Sequence, residues 1–178
     1  MSSNITDVEA KRAQGLKHKD AGNAFFKGSD FTGALREYYY ALLHLRGLDS
    51  NVMNLSRPTD PNTLEESRVT SLDKDLSVIN SNMAACHLRL ERIPRVIECA
   101  QAALKANPFN TKAKFRLAQG YVREGSLEKA RKILDELEKN APTDKAFANE
   151  RKHIVEMEKK ADQKQRETLA GMFNRAKN

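Results

Sequence analysis

Apolar residues recur along the chain at spacings of three and four, the pattern of helices with one buried face. The pattern is clearest in the middle of the chain, at Leu72, Leu76, Ile79, Met83 and Leu90. Just before this stretch, Thr63 and Glu66 have the spacing of a capping box. The sequence therefore predicts an unusually long helix over about 64–90.

Turn residues divide the rest of the chain into further helices. A helix over about 31–45 follows the turn at 27–30, and a loop over 47–62 contains Pro58 and Pro61. Pro94 stands where a helix can begin, because the first turn of a helix does not use its N–H. Gly125 marks another turn. No stretch favours strands, so the predicted fold is all-α.

The predicted helices repeat in pairs. The offset from Pro108 to Pro142 equals the offset from His87 to Tyr121. This repeat offset, about 34 residues, is the length of a helix–turn–helix unit that stacks into a solenoid. A third copy lies upstream at a longer offset, which aligns Phe25 with His87. The chain is therefore predicted to contain three helical pairs, with about 28 extra residues between the first pair and the second.

A last helix is predicted after Pro142, where the chain is rich in Lys, Arg and Glu. Its apolar stripe would consist of Ala146, Phe147, Ile154, Met157 and Ala161. The favoured interpretation is a capping helix over the exposed end of the last repeat. A calmodulin target or a membrane-surface helix is the alternative, which the acidic residues of this region disfavour.

The chain has 178 residues and a formal net charge of +7, from 31 Lys and Arg against 24 Asp and Glu. Residues 1–110 contribute +1 (14 basic, 13 acidic), whereas residues 111–178 contribute +6 (17 basic, 11 acidic). This positive field favours acidic ligands. Nucleic acid is the weaker alternative, because acidic residues are interleaved with the basic ones and no aromatic-basic signature occurs.

The sequence also indicates a compartment. No apolar run approaches the ~18 residues that a membrane span needs, and the N-terminus lacks the basic and apolar regions of a secretory signal. The expected location is cytoplasmic, with no membrane association. Cys86 and Cys99 are too few for a disulfide framework or a zinc site, and they are predicted to be buried, reduced thiols.

The repeated positions resemble the tetratricopeptide repeat. The signature residues include Gly22, Tyr38, Ala84, Ala118 and Ala130. The resemblance implies a right-handed superhelix of three repeats within 7–142, over about 13–46, 64–110 and 111–144, followed by a capping helix and tail over 144–178. The signature tryptophan is absent, and His87 replaces the usual tyrosine at a packing position, where it is expected to be a core histidine.

Four stretches are similar, more narrowly, to the tetratricopeptide repeat protein 9 family: 40–49, the insertion after it, 82–86 and 169–173. The chain is less closely similar to the repeat domains of large immunophilins. Those proteins have a prolyl-isomerase domain before their repeats, which this sequence is expected to lack.

The resemblance to tetratricopeptide co-chaperones implies a two-carboxylate clamp for the Glu-Glu-Val-Asp tails of cytosolic heat-shock chaperones. The clamp positions are occupied here by Lys19, Asn23, Asn82, Lys112 and Arg116. Spacing alone puts Lys19 and Asn23 on one helix face, and likewise Lys112 and Arg116. Further peptide contacts are expected from Phe26, Arg89 and Phe115.

The expected function is therefore a non-catalytic adaptor for chaperone tails, of the 90-kDa and also the 70-kDa class. The four histidines lie on separate predicted helices, and no phosphate loop or nucleophile elbow occurs. No catalytic residue, metal or cofactor is expected. The alternative is a scaffold for another protein, for example a cytoskeletal partner, in which the clamp is not used.

Overall fold

The computed structural model describes residues 2–46, 48 and 69–175, which are helical apart from short turns. The helices of this part are Ser2–Lys27 (α1), Phe31–Arg46 (α2), Ser71–Arg89 (α3), Ile93–Ala106 (α4), Thr111–Glu124 (α5), Leu127–Asn140 (α6) and Lys145–Arg175 (α7). They pack as three hairpins, α1 with α2, α3 with α4 and α5 with α6, and α7 packs on α6 and α5. The all-α prediction is confirmed.

Helix α3 begins at Ser71, so the predicted start at about residue 64 is wrong, whereas the predicted end at about residue 90 agrees with the structure. Thr70 is the N-cap, and its Oγ1 accepts a hydrogen bond from the backbone N–H of Asp73 at 3.1 Å. The Asp73 carboxylate accepts in return from the Thr70 N–H, also at 3.1 Å. This reciprocal pair starts the helix. Thr63, Glu66 and most of the predicted 47–62 loop lie outside the described residues.

The turns inside the three hairpins share one backbone geometry. Each contains a residue in the left-handed region: Ser29 with φ 64°, Glu91 with φ 55° and Gly125 with φ 90°. These residues are spaced at the two offsets found in the sequence, first the longer one and then the repeat offset. The repeat register is therefore confirmed by backbone conformation, independently of side-chain identity.

The core consists of two adjoining clusters of buried side chains. The first lies among α2–α5 and includes Tyr38, Leu45 and Ile79. Cys86 and Cys99 belong to it, and both are free and buried, as predicted. Burial raises the pKa of Cys86 to about 12, so this thiol remains protonated at neutral pH. The second cluster joins α5, α6 and α7.

Helix α7 covers the end of the last hairpin, as predicted for the capping helix. Phe147 and Ile154 are buried against α5 and α6. The predicted stripe was too wide, because Ala146 and Ala161 are exposed. Ion pairs add to this docking: Arg151 of α7 donates to the carboxylates of Asp135 and Glu138 in α6.

Candidate functional site

The first helices of the three hairpins, α1, α3 and α5, together line a groove. The groove contains a cavity of about 380 Å³. The side chains around it include Phe26 of α1, Leu88 and Arg89 of α3, Glu91 of the following turn, and Arg116 and Arg123 of α5. Three arginines against one glutamate make this cavity basic, with an apolar wall.

Two of the predicted clamp residues, Asn23 of α1 and Asn82 of α3, are in direct contact. The Asn82 Nδ2 group donates a hydrogen bond to the Asn23 Oδ1 atom at 3.0 Å, although the residues are 59 positions apart. The buried Tyr38 hydroxyl donates to the same oxygen at 2.8 Å. Because both bonds end on its oxygen, the amide of Asn23 keeps its Nδ2 group for donation to a ligand.

Close packing fixes the Tyr38 side chain in that position. The ring lies directly over Gly22, where an added Cβ would be 2.6 Å from the Tyr38 Cε1 atom. Burial, the largest cause, raises the pKa of Tyr38 to about 12, and its hydroxyl therefore remains a donor. Gly22 and Tyr38 thus hold the Asn23 amide in one orientation.

The predicted clamp lysines lie one turn before their partners. Lys19 precedes Asn23 on α1 and is partly exposed, whereas Lys112 precedes Arg116 on α5 and is exposed. Neither lysine forms an ion pair with any residue in the described ranges. No carboxylate of this part of the chain therefore neutralises their charges, which remain free for an anionic ligand.

Arg116, the fifth predicted clamp residue, lies in the cavity with its guanidinium partly buried. Its Nη1 atom donates to Gln119 Oε1 at 2.6 Å. Burial, and then the charge of Arg89, lower the pKa of Arg116, whereas the charge of Glu150 raises it. The guanidinium is a cation in all conditions relevant here, so a ligand carboxylate would stabilise it.

Of the three predicted secondary contacts, two line the cavity and one does not. Phe26 and Arg89 line the cavity. Phe115 does not, because its ring packs on Phe147 of α7 with 5.1 Å between centroids. The Arg116 guanidinium lies over the face of the Phe115 ring, 6.0 Å from its centroid. Phe115 therefore supports Arg116 instead of forming the apolar wall.

Comparison with known proteins identifies the fold. A family described as Tetratricopeptide repeat matches residues 88–149. The C-terminal TPR-containing domain of an FK506-binding protein from Plasmodium falciparum matches with a TM-score of 0.69 and 22% identity, over 88% of this chain and 95% of that domain. The fold is a tetratricopeptide repeat (TPR) solenoid.

Other TPR proteins are also similar. The first TPR of Spaghetti (RPAP3), solved bound to the HSP90 peptide SRMEEVD, matches with a TM-score of 0.61 and 20% identity, over 82% of this chain and 94% of that one. Peptidyl-prolyl cis-trans isomerase FKBP42 of Arabidopsis thaliana is 28% identical over 93% of this chain, but only over 42% of its own length. The chain spans less than half the length of the curated relatives it matches.

Sequence reasoning missed three residues in or next to this TPR groove: Arg123, Gln119 and Glu150. Arg123 lies one repeat offset after Arg89, so the repeat pattern could have found it. Gln119 contacts Arg116 directly and occupies the repeat position of Ala85 and, in the first repeat, of the clamp residue Asn23, so the repeat pattern could have found it as well. The third residue, Glu150, comes from α7 and lies outside the repeat pattern.

His87 is buried in the TPR core, as predicted. Its side chain is 5% exposed, and burial, followed by the charges of Arg95 and Arg92, lowers its pKa. Within the described part of the chain, no group of three or more His, Cys, Asp or Glu residues could hold a metal ion. None of the described helices is long and apolar enough to cross a membrane.

Proposed function

We propose that this TPR domain is a non-catalytic adaptor that binds the C-terminal Glu-Glu-Val-Asp tail of heat-shock chaperones, of the 90-kDa and also the 70-kDa class. The observation that supports this most directly is the Asn82–Asn23 hydrogen bond, which joins α1 and α3 at the groove. A similar solved TPR holds an HSP90 peptide ending in Glu-Glu-Val-Asp. By this proposal the protein acts in the cytoplasm.

The chemistry of the five clamp residues suits a peptide end with two carboxylates. Lys19 and Lys112 supply point charges, and the asparagine amides donate hydrogen bonds without adding charge. These four groups surround the terminal aspartate. Arg116 binds the side-chain carboxylate of that residue or of the one before it, since its planar fork favours bidentate contact.

The apolar and basic parts of the cavity extend the recognition site. Phe26, whose ring packs edge-on against Phe31 with 5.4 Å between centroids, contacts the valine of the tail. Arg89 faces the acidic residues upstream of it. Because only a few peptide residues are ordered, the affinity should be near micromolar, and it should fall as salt is added.

Calorimetric titration with synthetic tail peptides tests the proposal. The free-acid peptide should bind and the C-terminally amidated peptide should not, because the amide removes one of the two carboxylates. Lys112→Ala should weaken binding by about tenfold or more, the usual loss for a charge-assisted hydrogen bond. Lys105→Ala, an equal charge change on the outer helix α4, is the matched control. Equal affinity for the acid and the amide would refute the clamp.

The second candidate function is a scaffold for another protein partner. The observation that favours it is an exposed apolar strip on α2, with Tyr39 61% and Leu43 67% exposed, on a helix that does not line the groove. If the wild-type protein binds neither the free-acid nor the amidated tail peptide, the scaffold function replaces the adaptor function as the proposal. We further infer that the chain belongs to the tetratricopeptide repeat protein 9 family, on the four stretches of sequence given above.

A further inference from the structure

The end of the groove contains an acidic residue that comes from outside the repeats. Glu150 lies in the second turn of α7, and its side chain is 10% exposed. The Oε2 atom accepts a hydrogen bond from Gln119 Nε2 at 3.3 Å. The other carboxylate oxygen, Oε1, is buried and has no hydrogen-bond partner in the described part of the chain. Burying half of a carboxylate in this way is unfavourable unless nearby charges compensate it.

The nearby positive groups come from the groove and from α7 itself. Arg123 Nη1 lies 3.8 Å from the Oε1 atom, beyond hydrogen-bond distance but close enough for attraction. His153, on α7 itself, has its Nδ1 atom 3.9 Å from the same oxygen. Glu150 is also one of the charges that act on Arg116. The Glu150 carboxylate therefore offsets part of the positive charge that would otherwise attract a peptide carboxylate.

Glu150 is also linked to Arg116 indirectly, because both residues are hydrogen-bonded to Gln119. Gln119 donates to Glu150 with its Nε2 group and accepts from Arg116 with its Oε1 atom. Because the amide has a donor end and an acceptor end, a bond to Glu150 at one end determines which end faces Arg116. The three side chains form a relay from α7 to the groove.

We propose that Glu150 is a positioning and specificity-determining residue of the groove: it orients Arg116 through Gln119, and its charge limits how strongly the groove attracts acidic peptides. This inference rests on the proposed function, since it concerns the same groove. It assigns the capping helix a role in ligand selection in addition to covering the last hairpin. Undocking of α7 would remove both effects together.

Two substitutions separate orientation from charge. Glu150→Gln removes the charge but keeps an oxygen that accepts from Gln119, so the free-acid tail peptide should bind about threefold more tightly, as expected for loss of one like charge in a solvent-connected groove. Its affinity should also depend more steeply on salt. Glu150→Ala removes charge and relay together, so it should tighten binding less. Glu156→Gln, an equal charge change at an exposed position of α7, is the matched control and should alter neither quantity.

A spectroscopic measurement on the full chain without peptide tests the relay itself. The side-chain NMR signals of Gln119 and of the Arg116 Nε–H group, the latter assigned with Arg116→Lys, should shift in Glu150→Gln and shift further in Glu150→Ala. A merely structural role would change the melting temperature while leaving the salt dependence of binding unaltered. Thermal melts of each variant make that distinction.

The possible failures are distinguishable. If wild-type protein binds the peptide but Glu150→Gln binds equally or more weakly, the role of Glu150 in affinity is overturned. Unchanged signals of Gln119 and Arg116 overturn the relay, whether or not peptide binds. Failure of wild-type protein to bind the peptide overturns the proposed function and with it the affinity effect, while the NMR comparison still decides the relay.

Discussion

Gly22→Ala is the substitution that tests how the groove is built. The new methyl group would be 2.6 Å from the Cε1 atom and 2.7 Å from the Cδ1 atom of Tyr38, closer than real Cβ contacts. The Tyr38 side chain is 1% exposed, so it is enclosed by its neighbours and cannot simply turn into solvent. The ring must therefore shift, and we expect its hydroxyl to lose the hydrogen bond to the Oδ1 atom of Asn23.

The expected loss of stability is the balance of three effects. Overpacking of this kind costs about 1–3 kcal/mol, and loss of the tyrosine hydrogen bond costs about 1 kcal/mol. Alanine recovers about 1 kcal/mol, because Gly22 is inside a helix where alanine is the better residue. The free energy of unfolding should fall by about 1–3 kcal/mol, which lowers the melting temperature by about 2–12 °C for a chain of this size.

The same substitution should also impair the groove. Once Tyr38 moves, the Asn23 amide loses one of the two bonds that orient it, and affinity for the free-acid tail peptide should fall about fivefold. Thermal melts followed by circular dichroism and calorimetric titration measure the two effects. Gly28→Ala is the control, because a Cβ there would make only ordinary contacts, the nearest at 3.5 Å. An unchanged melting temperature for Gly22→Ala would refute the packing argument.

Three further substitutions test other parts of the structure. Glu91→Gly should raise the free energy of unfolding by about 0.5–1 kcal/mol in urea titrations, because only glycine adopts a φ of 55° without strain; a loss of stability would contradict this. Tyr38→Phe should lower the same free energy by about 1 kcal/mol, since Asn23 loses a buried donor, and no change would mean that water replaces it. His87→Phe should reduce the loss of stability on acidification. The folded-state pKa of His87 is lowered, so stability is complete above its ordinary pKa of 6.5 and declines as pH falls below that value, as melts at several pH values would reveal.

The sequence predicted the hairpins well but not where α3 begins. Thr63–Glu66 and Thr70–Asp73 both place a hydroxyl three residues before a carboxylate, and both precede the same apolar stripe. Glutamate is the usual partner in a capping box, which favoured the first pair. In the structure the shorter aspartate closes the box at Thr70. Local pattern therefore favours the pair that does not start α3.

Residues that contact α7 could not be predicted from periodicity. The repeat offset relates equivalent positions of the hairpins, whereas α7 occurs once and has no equivalent in them. The sequence predicts Phe115 as a further peptide contact, but its ring packs on Phe147 of the capping helix. The bond between Gln119 and Glu150 joins the repeats to the same helix, across 31 residues. Both contacts depend on how α7 docks, which is a matter of tertiary packing.

Buried positions and groove positions of the repeats contribute differently to this solenoid. Two sets of positions that recur at the two offsets hold apolar or aromatic residues in every repeat and are fully buried: Ala34, Val96 and Ala130, and Tyr38, Ala100 and Leu134. Positions of the groove differ from one repeat to the next, as at Asn23, Ala85 and Gln119. A peptide end is asymmetric, with two carboxylates at one side only. If the groove binds such an end, as proposed above, three identical groove faces would offer it the same group three times. Selective binding then requires the groove positions to differ between repeats, while the buried positions keep the helices in register.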